Sequence, residues 1–188
     1  MFLSKLFKRA KTTTELLVIA DFDSATTENN IGGRIGIPAG PDGLAYSVVA
    51  CKISFVADDA LANAKGHSLR VEYDLSDLDE FSVSEFGMTL PSLDASQFNT
   101  LRFYVKGDTA TGFSKSVKVG LWNKNTGRCL YVIRGITAKW SQVAIPFERF
   151  QGSLDWFAVE KFTLIFDRLN ADVIRGALYI DHVSLSRD

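Results

Sequence analysis

Three carboxylates and a small set of aromatic side chains are the residues whose type and spacing could do chemistry in this sequence. Asp21 and Asp23 stand at the end of the first apolar run, and Asp181 stands inside the last one. Calcium is held by carboxylate and carbonyl oxygens, so a first and last strand lying side by side would make these acids metal ligands. The alternative is that they face water at strand ends or cap turns. Tyr104 and Trp122 fall on the polar parity of their runs, as do Arg102, Arg70 and Glu72. Aromatic rings stack on the apolar face of a sugar ring while Arg, Asp and Glu bond its hydroxyls. Tyr104, Trp122 and Arg102 are therefore candidate ligand-binding residues. Tyr131 joins them, although its run is ambiguous: Leu130, Val132 and Arg134 share one parity, Tyr131 and Ile133 the other. Set against this, aromatics on the outer side of a strand are often covered by a loop.

Catalytic chemistry has little to stand on. The chain contains no GxSxG elbow, HExxH helix, phosphate-cradling loop or GxGxxG turn. Its only imidazoles are His67 and His182. A pair of carboxylates can hydrolyse glycosides, but no spacing singles out two of the 22 acids. Cys51 and Cys129 are too few and too far apart for a zinc knuckle or a redox pair; they are either two buried thiols or one bridge. A net charge of -1 with no basic stripe excludes nucleic acid as a partner. The expectation is a protein that binds and is not an enzyme.

These residues must be positioned by strands. At 188 residues the chain fits one domain and can bury roughly 70% of its unfolded surface. Leu69, Val71 and Tyr73 alternate with Arg70 and Glu72, and Leu101, Phe103 and Val105 alternate with Arg102, Tyr104 and Lys106, the pattern of strands with one buried and one wet face. The run from Val117 to Trp122 turns back through Asn125 and Gly127 into 129–136 as a hairpin. Further strands are expected at 16–23, 48–56, 81–90, 140–147, 162–167 and 177–186, with a turn near 154–159. Between 23 and 43 lies a loop dense in Gly, Pro and Asn; one of that length is usually functional or tied down. The last run slips parity at Asp181 and His182. Either a β-bulge sits there and re-aims the carboxylate, or Tyr179 and Asp181 point inward. The expected fold is all-β, a two-sheet antiparallel jelly-roll sandwich over residues 15–188.

Residues 1–14 read as a basic amphipathic leader and linker. Lys5, Lys8, Arg9 and Lys11 interrupt Phe2, Leu3, Leu6, Phe7 and Ala10, so the segment lacks the unbroken apolar core of an export signal. It is either a disordered leader or a start carried over from a longer precursor, or a helix that docks residues 1–11 on a membrane surface or a partner.

The runs LVIADFDS, GHSLRVEYDLS, DASQFNTLRFYVKGD, VKVGLWN, GITAKWSQVAIPFERF and GALYIDHVSLS together resemble the galactose-binding-like jelly rolls, which include family 11 carbohydrate-binding modules and the complex I intermediate-associated proteins. The resemblance implies a carbohydrate-binding module with a structural calcium ion at Asp181 and Asp21 or Asp23. It also implies a sugar-binding sheet face compatible with Tyr104, Trp122 and Arg102. The mitochondrial relatives imply the alternative, a scaffold subunit docked on a larger protein assembly.

Overall fold

Alternation of apolar and polar residues builds nearly every element of the chain. A computed structural model describes residues 15–36, 48–57, 66–79, 81–124 and 127–187. The strands are Leu16–Ala20 (β1), Val48–Ala50 (β2), Lys52–Val56 (β3), Ser68–Asp74 (β4), Val83–Leu93 (β5), Thr100–Gly107 (β6), Ser116–Trp122 (β7), Arg128–Arg134 (β8), Ser141–Pro146 (β9), Gln151–Ser153 (β10), Val159–Asp167 (β11) and Arg175–Ser186 (β12). One sheet runs β3-β4-β12-β6-β9, with β1 also paired to β12; the other runs β10-β8-β7-β11-β5-β2. The two form the jelly-roll sandwich. Apart from Ala57, where a described segment ends, the helical residues described are those of a short 3-10 turn at Phe147–Arg149.

Each sheet turns its apolar parity inward. From the first come Leu69, Val71, Tyr73, Leu101, Phe103, Leu178 and Ile180; from the second come Phe86, Met88, Val119, Leu121, Phe162, Leu164 and Phe166, all nearly inaccessible. Aromatic rings fasten the layers together. Tyr73 stacks on Phe166 with centroids 4.1 Å apart, and Phe103 meets Phe162 edge to face at 6.0 Å. Such pairs add about 0.5–1.5 kcal/mol beyond the area they bury.

The structure departs from strand-by-strand expectation where the chain changes sheet. The run 48–56 divides at buried Cys51, whose amide bonds the Glu85 carbonyl. β2 then lies parallel to β5 in the second sheet while β3 pairs with β4 in the first. Parity cannot reveal that corner, because the three residues of β2 are all apolar and carry no alternation of their own. The sandwich is thus antiparallel except for this one pair among the described strands. β10 was also beyond the reach of the pattern: it is three residues long and passes through Gly152 at φ +119°.

Of the two readings of the last strand, the bulge is the one found. Pairing of β12 with β6 shifts register between Asp181 and Ser184, and His182 has φ +49°. The extra residue lets Leu178 and Ile180 before it, and Val183 and Leu185 after it, all face the core. Tyr179 and Asp181 consequently point to the outer side. Both cysteines are free and buried, and burial pushes each thiol up to about 12.

The described part of the long loop is tied down. Asn29 accepts hydrogen bonds from the amides of Gly33 (2.7 Å) and Ile31 (3.2 Å), and its side-chain amide donates to the Thr89 carbonyl at 2.9 Å. Gly33 has to be glycine, since a Cβ there would fall 1.9 Å from the Thr89 carbonyl oxygen. This segment is anchored along the edge of β5, where Gly36 bonds Gly87 and Arg34 bonds Thr89. Residues 37–43 of the loop, and the leader with its proposed docking helix, lie outside the described residues.

Candidate functional site

The outer side of the first sheet gathers polar and aromatic residues from four neighbouring strands. Register places Arg70 of β4, Tyr179 of β12 and Lys106 of β6 side by side, and beside them Asp181 with Tyr104, which in turn faces Gln142 of β9. Trp140 precedes β9 and completes the first row. The Lys106 ammonium lies 4.7 Å from the Tyr179 ring centroid and 5.3 Å from that of Trp140, within cation–π range of both. Arg102 of the same strand donates from Nε to the Ser186 hydroxyl at 2.8 Å.

Arg70 is held in a fixed orientation. Its Nε donates to Asp108 at 2.9 Å, Nη1 to Glu72 at 2.6 Å and Nη2 to the Thr111 hydroxyl at 3.2 Å. Burial opposes ionisation of Asp108. The Ala110 amide, the Arg70 guanidinium and the Thr111 hydroxyl outweigh it and hold the carboxyl below the usual range. A guanidinium locked in this way presents a constant hydrogen-bonding edge to whatever lies on the face.

Trp122 is on the other side of the molecule. It belongs to β7, in the second sheet, and its polar parity faces away from the core on that sheet. Its indole N–H donates to the Thr163 hydroxyl at 3.0 Å, and the Arg128 guanidinium lies 5.5 Å from the ring centroid. Tyr104 and Trp122, grouped by parity in the sequence, therefore do not share a surface. The reason is topological: parity reports inside from outside but not which sheet a strand joins. Tyr131 is a second correction. It is opposite Val119 in register and packs toward the core near Phe150, with centroids 6.1 Å apart, so it belongs to neither outer face. Arg102 alone stays with Tyr104.

The three carboxylates named as metal ligands are occupied separately. β1 does pair with β12, as a shared site would need. Yet Asp21 accepts from Asn30 Nδ2 at 2.6 Å and from the Asp23 amide at 3.2 Å. Asp23 accepts from the His67 amide at 3.3 Å, and Asp181 from the His182 amide at 2.7 Å. Among the described residues no group of three or more His, Cys, Asp or Glu side chains could hold a metal ion. Each of the three carboxylates thus has a hydrogen-bond donor of its own. Asp21 and Asp23 instead edge an open depression with Glu28, Asn29 and Asn30.

Sequence reasoning missed Tyr179 and Trp140 as partners of Tyr104. Tyr179 sits on the strand whose parity slips, and Trp140 stands just outside a strand, so neither carried a clean alternation signal.

No protein-family model matches the chain, and no curated protein matches it. Solved structures do. The family 11 carbohydrate-binding module from Clostridium thermocellum, solved with a β-1,3-1,4-mixed-linked tetrasaccharide, is 18% identical over 92% of this chain and 94% of its own, with a TM-score of 0.57. A family 30 carbohydrate-binding module of a cellulosomal cellulase of the same organism is 16% identical over 93% and 98%, with a TM-score of 0.62. A family 29 module from Piromyces equi is 12% identical over 94% and 92%, with a TM-score of 0.51. None of the three is a complex I intermediate-associated protein. At these identities the likeness is one of fold, and over nearly its whole length this chain has the jelly-roll fold of carbohydrate-binding modules.

Proposed function

We propose that the domain is a non-catalytic carbohydrate-binding module whose ligand lies across the outer face of the first sheet. The observation that carries this reading is the convergence of Tyr104, Tyr179 and Trp140 on that face beside an Arg70 fixed by Glu72, Asp108 and Thr111. Rings of this kind offer flat apolar surface to the CH side of a pyranose, and the fixed guanidinium and neighbouring carboxylates offer donors and acceptors for its hydroxyls. A rigid strand scaffold holds them without the ordering cost that a loop site would incur. The same fold serves modules that bind glycans, one of them solved with a mixed-linked β-glucan fragment. Among the described residues of this face the carboxylates Glu72 and Asp108 are tied to Arg70, and Asp181 to the His182 amide, so the reading is one of binding without turnover.

Affinity electrophoresis through gels containing mixed-linkage β-glucan, with other neutral plant polysaccharides alongside, tests the reading. The protein should be retarded by at least one of them, and Tyr104→Ala and Tyr179→Ala should each weaken binding by about tenfold, the effect expected of a central aromatic contact. Retardation by none of these polymers, or retardation that both substitutions leave unchanged, would remove the proposal.

A further inference from the structure

Trp122 is the centre of a row that crosses three adjacent strands of the second sheet. Arg128 of β8 is its register partner on one side and Lys161 of β11 on the other. Strand spacing places the two cationic residues about 10 Å apart at Cα with the indole between them. The ring is held in place. Its N–H is fixed by Thr163, which is itself fully buried, and Gly120 makes room for it: a Cβ on Gly120 would come within 2.9 Å of the indole nitrogen.

Charge sets this row apart from the rest of the surface. Arg70 has Glu72 and Asp108, Lys118 has Asp167, and Arg175 has Asp74. Neither Arg128 nor Lys161 takes part in these ion pairs. Lys161 is partly buried; desolvation lowers its pKa, and the negative charges of Glu85 and Glu160 oppose this. A partly desolvated cation gains more from an anion brought into contact with it than a fully solvated one does.

We infer that the Arg128–Trp122–Lys161 row is a second binding site, separate from the first face, that takes a uronic acid residue of an acidic polysaccharide. The sugar packs on the half-exposed indole beside the Arg128 guanidinium, and its carboxylate is taken by Arg128 and Lys161. The planar guanidinium of Arg128 matches a carboxylate in geometry. A neutral sugar would use the ring and leave both cations without a contacting carboxylate. Two cations in a single row are also too few to track a nucleic-acid backbone.

The probes are polygalacturonate, the same polymer with its carboxyl groups reduced, and oligo(dT). Polygalacturonate should retard the protein, more strongly at low salt than at high salt, and the reduced polymer should bind about tenfold or more weakly. Trp122→Ala and the double variant Arg128→Gln/Lys161→Gln should each weaken polygalacturonate binding by about tenfold while leaving neutral-glucan binding untouched. Tyr104→Ala should leave polygalacturonate binding intact, which separates this site from the first face. The double variant replaces one exposed and one half-buried side chain, neither of them in the core, and carries the test if Trp122→Ala lowers stability. Absence of polygalacturonate binding, equal affinity for the reduced polymer, indifference to the double variant, or tighter binding of oligo(dT) would each overturn the inference.

Discussion

The two outer faces of this sandwich are built from the same alternation and end with different chemistry. On the first sheet, the cation Arg70 is discharged by two carboxylates and a hydroxyl, and Lys106 lies between two rings. On the second, Trp122 lies between Arg128 and Lys161, which take no part in the ion pairs found among the described residues. The first face is internally balanced and rich in hydroxyl-directed groups, which suits a neutral ligand. The second keeps positive charge beside an apolar ring. What separates them is the register of each strand, because register decides which polar side chains become neighbours.

The largest difference between the faces should come from Gly120. A Cβ there would lie 2.5 Å from Thr163 Oγ1 and 2.9 Å from Trp122 Nε1. Gly120→Ala is expected to destabilise the fold by about 2 kcal/mol, an ordinary cost of overpacking, and to free the indole from Thr163. Chemical denaturation with tryptophan fluorescence would report both. The outcome that breaks the comparison is a loss of neutral-glucan binding with polygalacturonate binding preserved.

A smaller effect, confined to the first face, is expected of Asp108→Asn. Replacing the acid removes the charge from its contact with Arg70 and should cost about 1.5 kcal/mol at neutral pH, the scale of a hydrogen bond to a charged partner. The folded-state pKa of Asp108 lies below its ordinary value of 3.8. Its contribution is therefore complete above that value and is lost as pH falls through the folded-state pKa. The stability gap between protein and variant should narrow below pH 3.8 and close in stronger acid. A gap that persists unchanged there would show that shape, not charge, makes the contact.

Calcium should have the least effect. Asp21, Asp23 and Asp181 each have hydrogen-bond donors of their own, with which a calcium ion held by Asp181 and Asp21 or Asp23 would have to compete. Melting temperatures in calcium and in chelator should therefore agree to within about 1 °C, less than roughly 0.5 kcal/mol for a domain of this size. A rise of several degrees with calcium would restore the metal implied by the resemblance and shift attention to the edge where β1 meets β12.

Read alone, the sequence points to a β-sandwich, because period-two alternation in Leu69–Tyr73, Leu101–Val105 and Val117–Leu121 gives each strand one apolar side and no run of helical period follows to cover it. It also marked the slip at Asp181 and His182, since parity across β12 could not otherwise be kept. Tertiary structure alone decided which strands share a sheet. Alternation is identical for a strand in either layer, so Tyr104 and Trp122 look like neighbours in sequence and stand on opposite faces in space. The same limit hid Tyr179 and Trp140, whose partners lie on β4 and β6, far away along the chain. It also concealed that Asp21, Asp23 and Asp181 would each be taken up by nearby donors. Sequence fixes the side of the sheet a residue faces, through local backbone geometry, but the company it keeps there is set by long-range hydrogen-bond register.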